Sequence, residues 1–128
     1  MKLPLALPII TVALVAAQVA NAGDTKPKLI TFAKEKEISA SVTLLKAEGT
    51  IGRDNPFYDN YRPQLKFSAE PEAVTCAIRI PKPAEKVDPG ETAPVLVKCI
   101  ESFKIEEGKL SFTMHEGGRK VGEGILKP

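Results

Sequence analysis

The chain has 128 residues, room for one domain, and its formal net charge of +2 makes no case for a nucleic-acid or membrane surface. One histidine and no tryptophan leave it poor in the usual catalytic groups. Its first residues read as an export leader. Met1-Lys2 is a short positive start, residues 3–19 are apolar and small with Pro4 and Pro8 as breakers, and Ala20-Asn21-Ala22 is an A-x-A cleavage signal. The pattern predicts a signal peptide over 1–22, cleaved after Ala22, and a secreted or periplasmic protein with no stable membrane insertion afterwards. An uncleaved anchor is the competing reading, and the two prolines and the cleavage site argue against it. No cysteine stands near the end of the apolar run, so a lipid anchor is not suggested.

Residues 23–28 are polar, with one proline, and read as a flexible lead-in. Residues 29–36 mix Leu29, Ile30 and Phe32 with a charge run, which leaves open an extra edge strand or a loose segment. Ile38, Ala40, Val42 and Leu44 then alternate with Ser39, Ser41 and Thr43, the clearest strand in the chain. Residues 52–63 have no periodicity. They are rich in turn formers and carry Phe57, Tyr58 and Tyr61, so they either plug one barrel mouth or form a contact surface.

The next strand has Leu65 and Phe67 on one face, and the one after it Val74, Cys76, Ile78 and Ile80. Residues 84–91 are a charged loop ending in Pro89-Gly90, which suits a type II turn. Val95, Val97 and Cys99 share a face of the following strand. Phe103 and Ile105 lead into a hairpin in which Leu110, Phe112 and Met114 alternate with Ser111, Thr113 and His115. Gly117-Gly118 turns it, and Val121 to Ile125 return. Glycine at 122 and 124, inside a strand, marks a bend, a bulge or a close backbone approach. No helix emerges. Six short strands with turn signals between them point to an all-β fold, a small barrel.

Cys76 and Cys99 are equidistant in sequence from the centre of the 84–91 loop, so strands joined there set them opposite each other. An exported chain with an even cysteine count favours a bridge, and a Cys76–Cys99 disulfide is expected. Two cysteines and one histidine do not make a tetrahedral metal site, and none is expected. His115 beside Glu116 faces the other way on its strand, so the two do not form an acid–base pair. No nucleophile elbow, phosphate-binding loop or zinc-protease signature is present. The residues point to no enzyme and no cofactor.

His115-Glu-Gly-Gly-Arg-Lys-Val-Gly-Glu-Gly124 resembles the carboxy-terminal hairpin R-E-G-G-R-x-V-G-x-G of bacterial elongation factor Tu. Gly52 to Phe67, GRDNPFYDNYRPQLKF, is similar to the stretch that opens the same domain, and Asp88-Pro-Gly-Glu91 to its M-P-G-D turn, in the same order. The resemblance is to the third domain of that factor, a six-stranded antiparallel barrel, over residues 37–128. The GTP-binding and second domains have no counterpart in these residues, so no GTP is expected. In that family the third domain touches the T-stem of aminoacyl-tRNA, and the matching positions here are Arg53, Gln64, Thr75, Glu116 and Gly117. Departures stand beside them. His115 replaces the family arginine, and Asp54 and Asp59 add charge that opposes phosphate.

Two functions follow as expectations. The first is an exported, non-enzymatic binding or structural module whose contact surface is Phe57, Tyr58, Tyr61 and Arg62. Its partner would be another protein of the envelope or extracellular space. The second is a translation-related tRNA-binding protein using Arg53, Gln64, Thr75, Glu116 and Gly117.

Overall fold

The computed structural model describes residues 26–128; the predicted signal peptide lies outside the described residues. Ten strands are present and, among the described residues, no helix. Six of them close a barrel: β2 (Glu37–Leu44), β4 (Gln64–Phe67), β5 (Val74–Arg79), β7 (Thr92–Cys99), β9 (Ser111–Glu116) and β10 (Arg119–Leu126). Their order around the wall is β10-β2-β7-β5-β4-β9, every pairing antiparallel.

Period-two alternation decides which side chains go inside. Along β2, Ile38, Ala40, Val42 and Leu44 are buried while their neighbours face out. Leu65, Cys76, Ile78, Val95, Val97, Cys99, Met114 and Leu126 fill the interior in the same way. The wall closes where β10 meets β2, with Gly124 opposite Val42 and Leu126 opposite Ala40.

The hairpin joining β9 and β10 turns on Gly117 and Gly118, with φ of 55° and 90°. Both angles lie where a Cβ is penalised, which is why the turn takes two glycines. Just past it the register shifts between Lys120 and Gly122, and Val121 is the extra, fully buried residue. Gly124 answers a different need. A Cβ there would sit 2.5 Å from the Phe112 ring and 2.6 Å from the Ser41 carbonyl oxygen.

Four further strands lie outside the wall, none predicted as a certainty. The open question over residues 29–36 resolves as an edge strand: β1 (Leu29–Phe32) pairs with β8 (Phe103–Glu106). That pair brings Phe32 onto Phe103 and Phe103 onto Phe67, with ring centroids 5.2 and 3.9 Å apart, closing one end of the barrel. Within the expected loops, β3 (Phe57–Tyr58) pairs with β6 (Lys86–Val87). Phe57 and Val87 are thereby buried at the other end. The Pro89-Gly90 turn follows β6, with Gly90 at φ 89° and the Glu91 N–H donating to the Asp88 carbonyl at 2.9 Å.

Cys76 and Cys99 stand opposite each other on β5 and β7, and their sulfurs are 2.02 Å apart, disulfide distance. The pairing partners of β5 and β7 are those that symmetry about residues 84–91 predicts, although β6 interrupts the connection.

Candidate interaction site

The end of the barrel at the Gly117-Gly118 turn gathers most of the residues singled out in the sequence. Its centre is the Glu116 carboxylate. The Arg53 guanidinium and the Tyr61 hydroxyl both donate to it. Arg53 also donates to the carbonyls of Asn55 and Pro56, each at 3.1 Å, and lies 5.3 Å from the centre of the Tyr61 ring. Tyr61 in turn stacks on Phe57 at 4.6 Å. One carboxylate therefore ties the hairpin turn to the aromatic loop and both to the plug. Burial, and then the hydrogen bond to Glu116, raise the Tyr61 hydroxyl above its ordinary pKa of 10.0.

Arg119, on the far side of the turn, donates to the carbonyls of Gly52 at 2.8 Å and Ile51 at 2.6 Å. It fixes the loop that carries Arg53. The sequence sets the Glu116–Arg119 turn beside the expected contact surface, but the partners of Arg119 are 67 and 68 positions away and carry no local signal.

The four residues expected to form one contact surface are divided by the structure. Phe57 is 1% exposed and belongs to the core, because β3 turns it inward opposite Val87. Tyr61 is half-buried and engaged by Glu116. Tyr58, 59% exposed, and Arg62 face solvent. The aromatic loop is thus partly a plug and partly a display, split by alternation within a two-residue strand.

The five positions matched to tRNA contacts fall into two groups. Arg53, Glu116 and Gly117 sit at the corner just described. Gln64 lies in the wall, with Thr75 opposite it on β5 and His115 opposite it on β9. Lys120 continues the row beyond His115, and Lys66 is next but one to Gln64 along β4. Burial, then the charges of Lys66 and Lys120, hold the His115 imidazole below its ordinary pKa of 6.5. His115 shares a hydrogen bond of 2.8 Å with the Thr113 hydroxyl. Asp59, read as a charge opposing phosphate, is occupied: it accepts from the Ile80 N–H at 2.8 Å and from Arg79 at 3.1 Å. Those two contacts lower its pKa.

Among the described residues, no group of three or more His, Cys, Asp or Glu is placed to hold a metal ion. The family described as Elongation factor Tu C-terminal domain matches residues 31–128. The chain belongs to that family. The match begins ahead of the expected boundary at residue 37, inside β1. It thereby takes in Phe32, whose ring helps to close the barrel. An elongation factor Tu C-terminal domain is a β-barrel without catalytic machinery of its own, and the closed six-stranded wall agrees with that fold.

Proposed function

We propose that the chain is an exported, single-domain β-barrel of the elongation factor Tu C-terminal family that acts as a protein-binding module, needs no GTP and catalyses no reaction. The observation that carries this reading is the closed network at Glu116. Two of the five positions matched to tRNA contacts, Arg53 and Glu116, satisfy each other and Tyr61. Their charges serve the fold, and the exposed side chains left on the loop are Tyr58 and Arg62. The leader-like first residues and the Cys76–Cys99 pair support an oxidising compartment outside the cytoplasm.

The mass of the protein from fractionated cells, with and without reductant, tests it. A form beginning at Gly23 in the envelope or medium, lighter by two hydrogens before reduction, is expected. A full-length cytoplasmic form with free thiols overturns it.

A second reading keeps the family surface in use. The row Lys120, His115, Gln64 and Thr75, with Lys66 beside it, is a polar and basic strip suited to phosphate and 2′-OH contact. That reading requires tRNA binding that weakens steeply with salt. No binding at low salt ends it.

A further inference from the structure

On the outer wall beside the disulfide, the register builds a cleft that shares Arg62 with the exposed loop described above. The Ile78 N–H donates to Tyr61 and the Cys76 N–H to Pro63, so Arg62 lies across from Ala77 on β5. Ala77 in turn lies across from Lys98 on β7. The sequence of side chains across the wall is Arg62, Ala77, Lys98. Strands lie about 4.8 Å apart, so the two cations arise roughly 10 Å from each other with a methyl between them as floor. Arg79 and Asn60 border the hollow on one side and Ile100, 44% exposed, on the other; its volume is about 120 Å³.

Charge gives the hollow a sign. Arg79 is balanced by Asp59. Among the described residues, Arg62 and Lys98 have no carboxylate within ion-pair distance. With Arg79 held by Asp59, the lining sets Arg62 and Lys98 against Glu35 on the rim, a surplus of one positive charge that suits a single negative charge rather than a doubly charged phosphate; Glu37, in register with Lys98, is not part of the lining. The backbone adds a separate pointer. Among the described residues, Glu35 at φ 62° and Asn60 at φ 70° are the non-glycine residues held in the left-handed region, and both line this cleft. Such conformations persist where the surroundings impose them, and they gather at binding sites.

We propose that this cleft docks an acidic side chain of a protein partner: the carboxylate lies between Arg62 and Lys98 above Ala77, and an adjoining apolar side chain lies on Ile100. The inference rests on the binding-module reading and gives its partner a chemistry, an acidic segment with neighbouring aliphatic residues. A bidentate guanidinium contact on one side and an ammonium on the other are the charge-assisted bonds such a group seeks.

The test is titration of the 15N-labelled protein with a short peptide of alternating leucine and glutamate, with the same peptide carrying glutamine for glutamate, and with inorganic phosphate. Amide shifts confined to Ala77, Lys98 and Ile100 with the glutamate peptide alone, and a dissociation constant roughly tenfold or more weaker in R62A/K98A, are expected. Shifts spread over the whole surface, equal response to the glutamine peptide, or unchanged affinity in the variant overturn the proposal. An equal response to phosphate reduces the cleft to an adventitious anion site and also overturns it. Arg62→Gln and Lys98→Gln, which keep most of each side chain, serve if the double variant fails to fold. Binding by a chain retained in the cytoplasm refutes export alone, and an exported chain whose cleft binds nothing refutes the cleft alone.

Discussion

Arg53 and Glu116 are 63 residues apart in sequence and are paired at one corner of the barrel, where Tyr61 shares the same carboxylate. The pair is partly exposed, with side chains 25% and 34% accessible, so its electrostatic contribution is modest. Removal of the carboxylate matters more for what it leaves behind. Glu116→Ala strands the Tyr61 hydroxyl at a half-buried site and removes one of the three acceptors of Arg53, and a loss of about 1–3 kcal/mol is expected in urea unfolding.

Tyr61 also makes the stability depend on alkali. Its pKa is raised in the folded state above 10.0, so the unfolded chain loses the proton first. The stabilisation is complete below pH 10 and is lost as pH rises beyond it. Thermal melts at about pH 9 and about pH 11 in the wild type and in Tyr61→Phe check this: the decline is expected to be smaller in the variant.

His115 has the opposite dependence. Its folded pKa is below 6.5, so the unfolded chain takes up the proton more readily, and stabilisation present above that pH is lost as pH falls. In an NMR titration the imidazole is expected to titrate below 6.5, and Lys66→Gln to move its midpoint upward. A midpoint unmoved by the substitution would assign the shift to burial and Lys120.

Phe57 and Tyr58 are adjacent and serve opposite ends. Phe57→Ala is expected to cost about 3–5 kcal/mol, because it empties a closed space between Val87 and Tyr61. Tyr58→Ala is expected to fall within about 0.5 kcal/mol of the wild type. Chemical denaturation of the two variants separates plug from display. A large loss at Tyr58 would remove it from any contact surface.

Gly124→Ala tests the close approach of β10 to β2 and β9. The new methyl meets both the Phe112 ring and the Ser41 carbonyl, and a loss of about 1–3 kcal/mol is expected. Phe112→Leu in the same chain is expected to recover only part of it, since the Ser41 oxygen belongs to the backbone.

The Cys76–Cys99 link closes a loop with a sequence separation of 23, which in the chain-entropy model contributes about 3 kcal/mol. Reductant is therefore expected to lower the urea midpoint of the wild type and leave that of C76A/C99A unchanged.

Five of the six wall strands were legible because each carries enough alternation to declare an inner face, Ile38 to Leu44 and Leu110 to Met114 most plainly; the sixth, β10, was legible only as the return from the Gly117-Gly118 turn. The facing of Cys76 and Cys99 was legible from symmetry alone. The plugs were not. β3 and β6 have two residues each, too few for a period, and β1 runs directly into the charged stretch that follows Phe32. Their identity comes from what the barrel ends need covered. The site was legible as residue types and not as contacts. Nothing local says that Tyr61 turns to Glu116 while Tyr58 turns to solvent, or that Arg62, Ala77 and Lys98 share a row. Those follow from register between strands distant in sequence.

The seam between β10 and β2 joins the last strand of the barrel to its first. Until Arg119–Leu126 are in place, β2 and β9 each present a bare row of backbone donors and acceptors. A nascent chain, or one clipped ahead of Arg119, is thus an open sheet that recruits other strands, and its safety depends on how soon the final strand arrives.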